Sequence, residues 1–239
     1  MNRTDQEAPP ADASAHDSGE TAQDTSVPNH AAMPPARSKV GRPSQRNPGE
    51  TRSNILRSAL KCFTDKGFAA TTFAAVARGA GVTGSAIYQY FDSKDSLYVA
   101  TLEHVYSDLV PRTSSALIEN RRFRDRLQRI LQASADMHES NPAATAFLSA
   151  VPVELRRHPQ LKPRLSDQSY ALLSALQQVF DDAKAAGEIV TTRSSESLRK
   201  FFLGGLMGLC LYHHASEKEQ LREALEIYFE CFEGKLSTG

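Results

Sequence analysis

The run Thr71-Thr72-Phe73-Ala74-Ala75-Val76-Ala77-Arg78-Gly79-Ala80-Gly81-Val82-Thr83-Gly84-Ser85-Ala86-Ile87-Tyr88-Gln89-Tyr90-Phe91 decides how this chain is read. It reads as a short helix, a tight turn and a second short helix. Thr72 and Thr83 are placed to cap the two helices by accepting from a free backbone N–H. Gly81 falls where the turn needs a left-handed residue, which glycine supplies without a Cβ clash. Ala77 is small enough for the helices to cross closely, and Val76, Val82 and Ile87 form the shared apolar seam. That is the plan of a helix-turn-helix whose second helix enters the major groove of DNA. A plain helical hairpin has the same outline, so the flanks have to decide between them.

The flanks add an ordered series of motifs. Ile55-Leu56-Arg57-Ser58-Ala59-Leu60-Lys61-Cys62-Phe63 precedes Lys66-Gly67-Phe68, and Ser93-Lys94-Asp95-Ser96-Leu97 follows the hairpin. Together with Val76-Ala77, Ala80-Gly81-Val82 and Ile87 through Phe91, these residues resemble the N-terminal domain of the TetR/AcrR family of bacterial transcriptional regulators. The resemblance covers about fifty residues, from Thr51 to Leu97; the rest matches the family in size and helical character. It implies an all-α protein with an N-terminal three-helix reader and a C-terminal helical ligand-binding and dimerisation domain. Members often carry a polar residue where this chain has Gly84, and Ser or Thr where it has Ala86. Those departures remove hydrogen bonds to phosphate or base edges.

Charge distribution agrees with a DNA partner although the net charge is formally zero. Residues 1–36 carry one basic side chain (Arg3) against six acidic ones, residues 37–98 ten against four, and residues 99–239 seventeen against eighteen. A block of net +6 between an acidic tail and a neutral body is the footprint of a DNA-contacting domain. Cys62, Cys210 and Cys231 are far apart and set in apolar helical patterns, so they read as reduced core residues, with a redox sensor as the lesser alternative. The N-terminus lacks a signal-peptide pattern, and the apolar stretch 201–212 is too short to span a bilayer. A cytoplasmic, bacterial location is expected, with no cofactor and no membrane partner.

The expected layout is a disordered acidic tail over residues 1–36, a basic arm over 37–48, the reader over 49–97 and the helical body over 98–239. In the arm, Gly41-Arg42-Pro43 fits either a minor-groove insertion by Arg42 or a solvated basic linker. A first helix is predicted from about 50 to 66, ended by Gly67 as a left-handed cap. Ser93 caps a fourth helix, which Pro111 kinks or ends. Further helices are predicted over 124–138, from Pro142 with a kink at Pro152, over 160–186, over 194–214 and over 217–234.

For the DNA site, Thr83 is expected to cap its helix and touch phosphate beside Gly84, while Ser85 and Gln89 reach base edges, Gln89 suiting adenine. Tyr88 and Tyr90 offer hydroxyls to phosphate and rings to thymine methyls, with one of them equally suited to the core. The resemblance places Thr72 and Lys94 against the DNA backbone on either side, and Lys94 lies beside free N–H groups. It also implies a ligand cavity in the body, for which His138, Phe147, Val151, Tyr170, Leu173, Phe201 and Leu206 are candidate lining residues, each also fitting plain core. The ligand expected there is small and largely apolar.

Two broad apolar faces close the chain. Leu198, Phe202, Leu209 and Tyr212 on one helix, and Leu221, Leu225, Tyr228 and Phe232 on the next, are candidates for a dimer interface, with Gly204, Gly205 and Gly208 permitting close approach. A two-fold dimer would match a palindromic operator. The function expected is therefore a dimeric, sequence-specific regulator, a repressor released from its operator by the ligand; an activating or ligand-independent regulator is the alternative. An enzyme is disfavoured, because His213-His214 with Glu217 is the only metal-like cluster and offers no third ligand site. An architectural DNA binder fits the basic block but not the compact capped reader.

Overall fold

The computed structural model describes residues 47–118, 122–216 and 220–233. The acidic tail, most of the basic arm with Arg42, and Glu217 lie outside the described residues. Every element among those described is helical. The order is α1 (Pro48–Ala70), α2 (Phe73–Ala80), α3 (Gly84–Ile87), α4 (Lys94–Ile118), α5 (Phe123–Ser140), α6 (Pro142–Arg157), a 3-10 turn (Pro159–Arg164), α7 (Asp167–Ala185), α8 (Ser195–Ala215) and α9 (Leu221–Phe232). No described helix is long and apolar enough to cross a membrane.

Local chemistry explains the boundaries. Asn47 caps α1 by accepting from the Gly49 N–H at 3.1 Å, with Pro48 in the first turn, where its missing N–H costs nothing. Gly67 interrupts α1 at φ 74°, ψ 174°. This is not the left-handed cap the sequence suggests but the extended positive-φ region open essentially to glycine alone, and a further turn to Ala70 follows it. Ser93 and Ser96 cap α4 reciprocally, each hydroxyl accepting from the other's backbone N–H at 3.1–3.2 Å. Asn141 caps α6 at 3.3 Å, and Ser194 caps α8 at 3.1 Å.

Pro111 and Pro152 do not end their helices: α4 continues to Ile118 and α6 to Arg157. The single helix expected over 160–186 is instead two pieces. The chain makes a 3-10 turn from Pro159 to Arg164, extends at Leu165 and starts α7 at Asp167.

Two apolar cores result. The first joins the reader to the body: Ile55, Leu60, Phe63 and Phe68 of α1 meet Val76, Ile87, Phe91, Leu97 and Tyr98, then Phe147 and Val151 of α6. The second packs the end of α4 with α5, α7, α8 and α9 around Leu131, Phe180, Phe202, Leu225 and Phe229. A buried guanidinium ties these layers together. Arg126 of α5 donates to the carbonyls of Ala116 and Leu117 at the end of α4 and pairs with Asp182 of α7 at 2.9 Å.

Candidate functional site

The reader hairpin is held by three local devices. Thr72 Oγ1 accepts from the Ala75 N–H at 3.2 Å, and Thr83 Oγ1 accepts from the Ala86 N–H at 3.3 Å. Between them Gly81 takes φ 65°, ψ 35°, its N–H bonded to the Arg78 carbonyl and that of Val82 to Ala77. This pair of bonds is the Schellman closure, which satisfies the last carbonyls of α2 and aims α3 across it. Val76 and Ile87 are fully buried beneath the crossing.

The opposite face of α3 is open. Thr72, Thr83, Gly84, Ser85 and Gln89 are exposed, and Tyr88 is 66% exposed with its ring 4.9 Å from that of Phe73. The Thr83 and Ser85 hydroxyls share a 3.0 Å hydrogen bond. Tyr90 packs partly against the reader core, so of the two tyrosines it is the one turned inward. Lys94 donates to the Ala69 carbonyl at 2.9 Å and lies 4.6 Å over the Phe68 ring. Arg78, exposed in the last turn of α2, adds a cation beside the reader turn that is not among the contacts expected from the sequence. Its basic charge beside a helix end was the available signal.

A cavity of about 530 Å³ opens inside the body among α4, α5, α6, α7 and α8. Val151, Tyr170, Leu173 and Leu206 line it, as do Tyr106, Thr113, Met137, Arg199, Met207 and Cys210. Three candidates lie elsewhere. Phe147 is buried in the first core, 5.1 Å from the ring of Tyr98. Phe201 is 66% exposed on the outer side of α8, beside Phe232. His138 stands behind the wall, its Nδ1 2.7 Å from the hydroxyl of Thr145, which does line the cavity. Desolvation, then the positive fields of His214 and His213, pull the His138 imidazole below the usual histidine range. Burial pushes the Cys210 thiol up to about 12, which keeps it protonated and disfavours its use as a redox sensor.

At the end of the chain, Phe202, Leu221 and Leu225 are corrected from interface to core, because α8 and α9 turn part of their apolar arcs onto α5 and α7. Leu198, Leu209, Tyr228 and Phe232 are half-buried against the same core, and Tyr212 is exposed. Gly205 serves the chain itself: a Cβ there would collide with the Tyr228 ring, whose hydroxyl donates to the Phe202 carbonyl at 3.0 Å. Gly204 and Gly208 face open space, forming with Ala224, Ile227 and Cys231 a shallow apolar groove between α8 and α9. His213 is buried with Nδ1 2.9 Å from the Leu209 carbonyl oxygen.

Residues 55–101 match the family model described as bacterial regulatory proteins, tetR family. Residues 55–101 therefore carry the N-terminal domain of the TetR family. The chain is 30% identical over 101 residues to the nucleoid occlusion factor SlmA of Haemophilus influenzae, covering 42% of this chain and 46% of that one. The chain thus spans about half the length of such curated relatives. Among solved structures, the fatty acid degradation regulator FadR from Bacillus halodurans superposes with a TM-score of 0.66 at 16% identity, over 80% of this chain and 98% of that one. FadR from Bacillus subtilis in complex with stearoyl-CoA gives 0.63 at 16% identity, over 77% and 99%. These likenesses show the fold, a helix-turn-helix domain followed by a helical body, over 77–80% of the chain.

Proposed function

We propose that this chain is a dimeric transcriptional regulator of the bacterial cytoplasm that reads a palindromic operator and is released from it by a small, largely apolar ligand. The observation that carries the reading is the placement of α6. One stretch of it lines the cavity through Val151, Pro152 and Leu155. The same helix buries Phe147 among Phe63 and Tyr98 of the reader core. A ligand that displaces α6 therefore acts on the base of the reader, and only a ligand with different affinities for two arrangements can shift between them. The stearoyl-CoA in complex with the Bacillus subtilis regulator, with its long acyl chain, supports an effector with an apolar body for this architecture.

Base reading falls to Ser85, Tyr88 and Gln89, and backbone contact to Thr72, Thr83 at Gly84, and Lys94. The second copy is assigned to the exposed apolar strip of α8 and α9, where Phe201, Gly204, Gly208 and Tyr212 stand beside Ile227. Repression is the family's usual mode and is the mode proposed.

Gel-shift with the DNA upstream of the chain's own gene, titrated with competitor, tests the reading. A saturable complex that requires both half-sites supports it, and binding that falls equally on all sequences overturns it. Sedimentation of Tyr212→Glu tests the interface: a shift to monomer is expected, and an unchanged dimer assigns the second copy elsewhere.

A further inference from the structure

We propose that the cavity's ligand is an anionic amphiphile, its apolar body inside and its acidic head held by the guanidinium of Arg199. This rests on the reading of the cavity as the effector site. Among the described residues only two charged side chains line the cavity, Arg199 and Lys200, and both are cations on the same turn of α8. The deep wall, with Leu102, Met137 and Val151, is apolar. The hydroxyls of Thr113, Ser134 and Ser149 donate to carbonyls of their own helices. The charge is thus concentrated at one end, while the Tyr106 and Ser169 hydroxyls add uncharged polar groups to the wall.

That end is also the mouth. Leu173 of α7 and Lys200 of α8 line the cavity and are exposed, so the cavity opens between these helices with a cation on its rim. An amphiphile entering tail first leaves its head there, in partial contact with water, where a charge is least costly to place.

Arg199 is suited to receive that head. It is half-buried, and its Nε donates to a neutral partner, Oε1 of Gln177, at 3.0 Å. The carboxylate nearest in the chain, Glu196, is taken up first by Lys200. The two terminal nitrogens of Arg199 make no ion pair among the described residues. A half-buried guanidinium fixed by a neutral side chain presents a planar pair of donors to a carboxylate or phosphate.

Calorimetry on the full chain with decanoate and 1-decanol as probes tests this. Decanoate is expected to bind more tightly than 1-decanol. Arg199→Gln is expected to lose about 10- to 100-fold for decanoate and to leave 1-decanol unchanged, which also shows that the variant is folded. Arg199→Lys should restore part of the loss. Equal losses for both probes, or none for either, overturn the head-group assignment while leaving the cavity reading in place. If neither probe binds the unaltered chain, the effector site itself is refuted and this inference with it.

Discussion

The ammonium of Lys94, at the first residue of α4, donates to the carbonyl of Ala69 at 2.9 Å while lying 4.6 Å over the Phe68 ring. It therefore ties α4 to the last turn of α1 before any DNA arrives. An ammonium has three donors, and the carbonyl takes one, so two remain for a phosphate. Lys94→Gln should weaken binding to all operator variants alike and reduce the slope of log K against log salt by about 1. An unchanged slope would mean that Lys94 serves the α1–α4 junction alone.

Gln89 is exposed in the turn that follows α3 and Thr83 is committed to the cap at its start, which divides reading from positioning between the two ends of the helix. Gln89→Ala should cost about 1–3 kcal/mol on the preferred operator and relax preference at one base position. Binding selections on randomised half-sites measure this. The same loss on every sequence would place Gln89 among the backbone contacts.

Gly67 and Gly84 form a natural contrast. At Gly67 φ is +74°, and an added Cβ would stand 3.2 Å from Oε1 of Glu154 on α6. Gly67→Ala should lower stability by about 1–3 kcal/mol, seen as a fall in Tm. At Gly84 none of the described residues lies within 4 Å of the added carbon, so Gly84→Ala should be neutral or stabilising by up to about 1 kcal/mol. Equal effects at the two sites would refute the assignment of strain to position 67.

The reader was legible because its determinants are local. A cap, a left-handed glycine and an apolar seam all lie within 21 residues, from 71 to 91. The body was legible as helices but not as neighbours. Phe201 and Phe202 are adjacent in sequence, yet one is 66% exposed and the other fully buried. Spacing identifies an apolar arc on a helix; it does not say which part of the arc meets its own chain, a cavity or solvent. Phe147 and Val151 make the same point on α6: they are four residues apart and in the same core, and only Val151 also reaches the cavity wall. The split at residues 159–167 falls at Leu165, whose extended backbone apolar spacing does not announce.

Arg126 is a buried cation that closes α4 as well as an ion pair. Its guanidinium serves two terminal carbonyls of α4 and the Asp182 carboxylate, which Gln178 and Arg126 together hold below the usual carboxylate range. Arg126→Met would leave the Ala116 carbonyl, which sits on a buried residue, without this partner. The expected loss is about 3 kcal/mol by chemical denaturation, toward the lower end of buried pairs because Asp182 is partly in water. A loss under about 1 kcal/mol would show that water replaces the guanidinium at the α4 end.

His138 makes stability depend on pH in a definite direction. Burial, then the positive fields of His214 and His213, disfavour its charged form in the fold, whereas in the unfolded chain it titrates near 6.5. As pH falls through 6.5 the unfolded chain takes up this proton first, so the contribution is complete above that value and declines below it. The imidazole also sits 2.7 Å from the Thr145 hydroxyl, which lines the cavity, so its protonation would be felt at the cavity wall. His138→Gln keeps a hydrogen-bonding group without the titration. Its Tm should fall less steeply than that of the unaltered chain as pH is lowered below 6.5, and the two should run parallel above it. Parallel curves across the whole acid range would assign the acid sensitivity to other groups.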